Sequence, residues 1–234
     1  MDELTERLVR VYHEIHRILR EVCNAGPDEP FLKLLKQAAT NSTVQAYERD
    51  LTNLNAIRVV IIDGWYDEPI ATPTLALVAK MERIRDMLRR PPVIGPLFRA
   101  PVAVCAAADP IDEVAAIMRN GNFSQIPVYD ASALVAILTK DTIARWFSAC
   151  FSREGSVVGE TQVQSVLEDA ETPDNYALLA PHDTVFDALP YFHSRQKQGK
   201  RCDATLITQD GSKTTEALGI ITAFDIPRLY EAIR

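Results

Sequence analysis

The sequence predicts an α+β protein: an N-terminal four-helix bundle followed by two β-α-β-β-α modules that form a pseudo-two-fold pair. Three observations predict it. Apolar residues recur every three or four positions through residues 1–90, the spacing of one buried helix face. The pair Pro91-Pro92 ends that pattern, and beyond it short apolar, strand-like runs alternate with helical stretches. The order of those runs then occurs a second time. A repeat outranks any single motif, because a half-buried unit of this size needs its twin to complete a core. The expected boundaries are a helical domain at 1–90, a first module at 93–151, a linker at 152–174 and a second module at 175–234.

In the helical region, Leu4, Leu8, Val11, Ile15, Ile18, Leu19 and Val22 form one apolar stripe. Gly26-Pro27-Asp28-Glu29-Pro30 ends it, since glycine and proline interrupt the backbone ladder. A short helix from Phe31 to Ala39 comes next. Ser42 is placed to cap a third helix with the stripe Val44, Tyr47, Leu51, Leu54 and Ile61, and Asp63-Gly64-Trp65-Tyr66-Asp67 reads as the turn that stops it. A fourth helix from Thr74 to Arg89 buries Leu77, Met81, Ile84 and Leu88.

In the first module Val102-Ala103-Val104-Cys105 reads as a strand. Asp109-Pro110 opens a helix with the buried side Ile111, Val114, Ala115 and Met118, and Asn120-Gly121-Asn122 ends it. Strands Gln125–Tyr129 and Leu134–Leu138 come next, then a helix from Asp141 to Phe151. In the second module Tyr176–Leu179 is the strand and Asp183-Thr184 opens a helix through Phe192. Ala204–Ile207 and Ala217–Ile221 flank the turn Gln209-Asp210-Gly211-Ser212, and a closing helix starts near Asp225. Sliding Ile111 onto Val185 brings Ile126 onto Ala204 with four fewer residues in the first copy. The linker is polar, with some helix expected in it.

Composition narrows the function classes. Hydrophobic residues make up 47% and charged residues 24%, ordinary for a water-soluble globular chain. The net charge of −7 disfavours nonspecific nucleic-acid binding, which requires a basic surface to displace counterions. Cys23, Cys105, Cys150 and Cys202 lack Cys-x-x-Cys spacing, so neither a zinc site nor a disulfide framework is expected, and the chain reads as cytoplasmic. The start Met-Asp-Glu-Leu-Thr-Glu has no signal-peptide character, and no run reaches membrane-spanning length. Gly-rich phosphate loops, nucleophile elbows and paired-carboxylate motifs are absent from the sequence.

The repeated runs carry a resemblance. Phe123-Ser124-Gln125-Ile126-Pro127-Val128-Tyr129-Asp130 with Leu134-Val135-Ala136-Ile137-Leu138-Thr139 in one copy, and Gly219-Ile220-Ile221-Thr222-Ala223-Phe224-Asp225-Ile226 in the other, resemble paired CBS (cystathionine-β-synthase) domains. That resemblance implies a regulatory module that binds an adenine nucleotide (AMP, ADP, ATP or a relative) between its halves and assembles as a homodimer. A threonine hydroxyl at a strand end, beside the amides of a helix start, can hold a phosphate, and an aspartate three residues on can accept both ribose hydroxyls. Thr222 and Asp225 fit that pattern, and the resemblance assigns Ala103, Phe123, Ser124 and Gln125 as their opposite wall, Phe123 against the purine. The first copy departs from it. After Thr139, Thr142 stands in the aspartate's place, and Asp141 is one residue early, about 100° round a helix. Its opposite wall by the same resemblance is Ala177 with Arg201, Cys202 and Asp203, and the two sites are expected to be unequal. Thr and Asp at a helix start are also ordinary caps, which require no ligand.

Tyr47–Arg58 followed by Val59–Gly64 resembles the signature region of HEPN-like helical domains, some of which are ribonucleases with an Arg and a following His. Here Arg58 is present and Asp63 stands where the His belongs; a carboxylate lacks an imidazole's proton exchange near neutral pH, so catalysis is not expected. His13 and His16 lie one helical turn apart without an evident third ligand, so no metal site is expected. The expectation is therefore a nucleotide sensor, not an enzyme, that relays binding to the helical domain or to assembly. The rivals are a nucleotide-regulated ribonuclease, a ligand-free adaptor and a transcription regulator, the last disfavoured by the acidic balance.

Overall fold

In the computed structural model of the chain, residues 2–62, 71–151, 161–172, 175–197 and 202–234 are described. They group into two compact units, Met1–Pro92 and Val93–Ala232. The expected turn at 63–67 lies outside the described residues.

The first unit is helical. α1 (Glu3–Cys23) starts where the Asp2 carboxylate accepts from the Thr5 amide and hydroxyl, both at 2.9 Å, and ends at Asn24 in the left-handed region. α2 (Phe31–Gln37) is shorter than the sequence implies, because Ala38–Thr40 tighten into a 3₁₀ turn. Asn41, and not Ser42, caps the next helix: its side chain accepts from the Val44 amide at 3.0 Å. The single helix expected there is also two, α3 (Ser42–Ala46) and α4 (Glu48–Ile62), because Tyr47 leaves helical geometry at ψ 10. α5 (Leu75–Arg89) is capped by Thr74. The described residues therefore hold five helices here where the periodicity implied four. Leu8, Ile15 and Leu19 of α1 meet Leu34, Leu51, Leu54, Met81 and Ile84 in one core. Two stripe assignments shift: Val22 is exposed while Cys23 packs on the core, and Val78 is buried where Leu77 is only partly so.

The second unit contains both modules. After α6 (Ile94–Phe98), β1 is only Cys105–Ala106. The expected strand at Val102–Cys105 is corrected: the parallel ladder with β2 begins at Cys105↔Val128, and Ala103 instead packs at the edge of the core. α7 (Ile111–Asn120), β2 (Gln125–Asp130), β3 (Ala133–Thr139) and α8 (Lys140–Cys150) complete the module. The second copy runs α9 (Val163–Leu167), β4 (Tyr176–Leu179), α10 (Val185–Lys197), β5 (Ala204–Thr208), β6 (Ala217–Thr222) and α11 (Ile226–Glu231). α10 continues past Phe192, the end the sequence implied, with Pro190 inside it. Each module is a three-stranded sheet with one parallel and one antiparallel pairing, in the orders β1-β2-β3 and β4-β5-β6.

The segments that lead into the two modules are exchanged. Val93 pairs with Thr184, Ile94 donates to the Asp183 carbonyl at 2.9 Å and Gly95 to that of Pro181 at 3.0 Å, all in the second module. Gln162 pairs with Pro110, Val163 donates to Asp109 at 3.0 Å and Gln164 to Ala107 at 2.9 Å, all in the first. The acceptors Ala107 and Pro181, the acceptors Asp109 and Asp183, and the bridge partners Pro110 and Thr184 are the pairs that the repeat superposes. Asp109 and Asp183 match further, each taking a bond from the backbone three residues back at 2.7 Å. Leu134 and Ile137 of β3 pack with Tyr176, Ala204 and Leu206, closing an apolar seam between the sheets. None of the four cysteines is in a disulfide. Among the described residues, no helix is long and apolar enough to cross a membrane.

Candidate functional site

Both candidate half-sites lie where a strand hands over to a helix. At the end of β6, Thr222 is an extended N-cap and Ala223–Asp225 form one 3₁₀ turn. The Thr222 amide and hydroxyl both donate to Asp225 Oδ2, at 2.8 and 2.9 Å, and the Phe224 amide donates to Thr222 Oγ1 at 3.3 Å. The pair is thus a reciprocal capping box. Its bonds converge on one carboxylate oxygen, and among the described residues none bonds Oδ1. Asp225 is half-buried, and the Phe224 ring beside it is 85% exposed. The helix after this turn, α11, is only six residues long.

Gly219, three residues before Thr222, is fixed by an approach of main chain. A Cβ there would lie 2.3 Å from the Phe98 carbonyl oxygen, because the exchanged α6 segment runs against β6. Arg99 bridges to Gly219, and Ala100 donates to the Leu218 carbonyl at 3.1 Å. The Arg228 guanidinium of α11 lies over the Phe98 ring at 4.8 Å. The strand that presents Thr222 is therefore clamped by the segment entering the first module.

The end of β3 is built differently. Thr139 caps α8, accepting from the Thr142 amide at 3.1 Å, and the two hydroxyls lie 3.0 Å apart. Both threonines are buried. No carboxylate occupies the place that Asp225 holds in the other copy. Asp203 and Asn175 of the second module complete this end. Asn175 donates to the Asp203 carboxylate at 2.8 Å and to the Ile137 carbonyl at 3.3 Å, while Asp203 donates its amide to the Asn175 carbonyl at 2.6 Å.

The two ends are joined by Gln125, whose amide donates to the Asp203 carbonyl at 2.9 Å. Gln125 pairs with Thr139 across β2–β3, and Ala204, next to Asp203, pairs with Thr222 across β5–β6. The strand registers thus bring Gln125, Thr139, Asp203 and Thr222 to the same end of the two sheets.

The remaining candidates are distributed unevenly. Phe123 is 40% exposed, with its ring over Gly121, where a Cβ would meet it. Ser124 is exposed, and its carbonyl accepts from the Lys140 amide at 3.0 Å. Ala177 is buried on β4, paired with Thr205, and does not line the recess at Thr139. Arg201 lies outside the described residues. Asn175 is the residue that sequence reasoning missed, because it precedes β4 with no motif around it. Its signal is positional: it stands just before the strand that faces β3.

In the helical unit, the Arg58 guanidinium lies over the Tyr12 ring at 5.4 Å, and the Tyr12 hydroxyl donates to Asn55 at 3.1 Å. His16 contacts the Glu29 carbonyl at 2.9 Å. Asp63 lies outside the described residues, and among those described no cluster of His, Cys, Asp and Glu could hold a metal.

Residues 84–149 match the CBS domain family. Among solved structures, the chain is similar to the CBS domain pair of protein MJ0100 in complex with 5′-methylthioadenosine and S-adenosyl-L-methionine, at 18% identity over 62% of this chain and 99% of that one, TM-score 0.45. It is also similar to the CBS domain of a CBS-domain-containing membrane protein from Sphaerobacter thermophilus, at 24% identity over 65% and 97%, TM-score 0.45. CBSX2 in complex with AMP is similar at 15% identity over 61% and 98%, TM-score 0.42. No curated protein matches the chain.

Proposed function

Since the chain carries a CBS domain at 84–149 and residues 175–234 repeat its topology, we propose that it is a regulatory sensor for an adenine nucleotide, held at the end of β6. The supporting observation is the Thr222–Asp225 pair. The capping bonds hold the carboxylate in one orientation and leave Oδ1, with two lone pairs, for the vicinal hydroxyls of a ribose. Gln125, Phe123, Ser124 and Ala103 supply the opposite wall in this reading, with the Phe123 ring against the base. Thr139 and Ala177 belong to the weaker half, with Arg201 as its cation. AMP, ADP and ATP are the ligands to test first.

Binding here acts through differential affinity for two arrangements of the unit, relayed to the helical domain or to assembly. The chain is proposed to act as a homodimer in the cytoplasm, without catalysis or a metal. Phe147 and Phe151, exposed together on one side of α8 with rings 5.0 Å apart, suit an apolar contact between copies.

Calorimetric titration of the full chain with AMP, ADP and ATP tests the proposal. It predicts saturable heat with at least one of them, abolished by Asp225→Ala. Absence of heat from all three removes it.

A further inference from the structure

We infer that the segment Val93–Ala100 is the output of the nucleotide site, a strap that occupancy at Asp225 tightens and that carries this change to α5. This relay rests on the sensor reading, and it selects the helical domain, not assembly, as what the nucleotide regulates.

The strap is fixed to the second module at both ends. Near its start, Val93 bridges to Thr184, and the Ile94 and Gly95 amides donate to the Asp183 and Pro181 carbonyls at 2.9 and 3.0 Å. Near its end, Arg99 bridges to Gly219 and the Ala100 amide donates to the Leu218 carbonyl at 3.1 Å. The contacts at this end bracket the turn from Thr222 to Asp225. Leu218 and Gly219 precede the turn on β6, and Arg228, whose guanidinium lies over the Phe98 ring at 4.8 Å, follows it on α11. A ligand held at Asp225 fixes the turn between these two contacts. Lifting the strap then means moving a strand and a helix that the ligand holds together, so the ligand favours the closed strap.

The other exchanged segment is built differently. Val163 and Gln164 stand where Ile94 and Gly95 do, donating to the Asp109 and Ala107 carbonyls. Ala136 stands where Gly219 does, three residues before the capping threonine of its own copy. Both close approaches of the strap depend on a missing side chain. A Cβ on Gly95 would lie 2.7 Å from the Pro181 carbonyl oxygen, and one on Gly219 would lie 2.3 Å from that of Phe98. Gln164 and Ala136 carry that Cβ, so main chain cannot come as near in the first module. The strap is therefore one-sided, and it grips the module whose copy retains the aspartate.

Only Pro91 and Pro92 separate the strap from Arg90, whose amide closes α5 on the Asp86 carbonyl at 2.9 Å. Two successive prolines each hold φ at about −65°, which leaves little freedom at the joint. Movement of the strap is passed along the chain to the last turn of α5.

Residue-resolved amide exchange of the full chain tests the relay, without ligand and with AMP, ADP or ATP at about 100 times the dissociation constant that calorimetry gives. Gly95 and Ala100 should exchange up to about 100-fold more slowly with the nucleotide, because opening the strap releases it. Val163 and Gln164, the amides equivalent to Ile94 and Gly95, should keep their rates within about threefold. Arg90 should slow with the strap. In the double variant Pro91→Gly with Pro92→Gly, the strap should still slow while Arg90 no longer responds. A nucleotide that binds without slowing Gly95 and Ala100, or that slows Gln164 equally, overturns the strap and leaves the sensor standing. So does an Arg90 rate that ignores the nucleotide, or one that still follows it in the double variant. If none of the three nucleotides binds, the sensor reading falls and the strap falls with it.

Discussion

Gln125 donates to the backbone carbonyl of Asp203 at 2.9 Å, and the two residues hold equivalent places, each just ahead of the residues that the repeat superposes, Ile126 and Ala204. Equivalent positions touch only where a pseudo-two-fold axis passes between them. The candidate half-sites at Thr139 and Thr222 lie on either side of that contact, one strand away in each sheet. The Asn175 bond to the Ile137 carbonyl crosses between the modules at the same end.

Removing the Gln125 bond has a modest expected cost. Gln125→Leu keeps the apolar stem but leaves the Asp203 carbonyl without this donor, and it should destabilise the second unit by about 1 kcal/mol. Urea unfolding checks it. The midpoint should fall while the slope stays constant, because the surface exposed on unfolding does not change.

Asp225→Ala removes the acceptor of both Thr222 bonds. Without ligand the loss should be about 1 kcal/mol, the ordinary value of a helix cap. With a nucleotide at 100 times its dissociation constant, wild type should gain about 2.7 kcal/mol and the variant nothing. Differential scanning fluorimetry with and without nucleotide separates these two effects.

Gly219→Ala places a methyl group 2.3 Å from the Phe98 carbonyl oxygen. Both sides of that clash are main chain, so β6 or α6 must move, at a cost of about 1–3 kcal/mol. Amide exchange should quicken at Ala100, whose bond to Leu218 depends on the same approach. Exchange as slow as in wild type would show that the clamp is not felt there.

The Cys105 thiol is pushed up to about 12, first by burial and then by the nearby Asp109 charge. A group that holds its proton more tightly when folded stabilises the protein below its unfolded pKa. That contribution is lost as pH rises from about 9 toward 12. Stability measured in urea should therefore fall between pH 8 and pH 10 by less in Cys105→Ala than in wild type, about these two points. The native thiol should also resist alkylation at pH 8, since almost none of it is thiolate.

The architecture was legible because its signals are local. Ile111, Val114 and Met118 repeat with a helix period, Gln125–Tyr129 reads as a strand, and the same series returns at Val185 and Ala204. The break at Tyr47 was not legible, since the stripe Val44, Tyr47, Leu51 continues through it unchanged. Nor was the brevity of β1, because an apolar run such as Val102–Cys105 does not state which of its residues finds a hydrogen-bonding neighbour.

The chemistry at Thr222 and Asp225 follows from their spacing, three residues apart, which suffices for a capping box in any fold. The recess at Thr139 does not follow from any spacing. It requires Asn175 and Asp203 to arrive from the other module, and the exchanged segments around Ile94 and Val163 that tie the two modules together. Contacts between residues so far apart in the chain are set by which faces bury one another. Periodicity marks a face as apolar but does not name its partner.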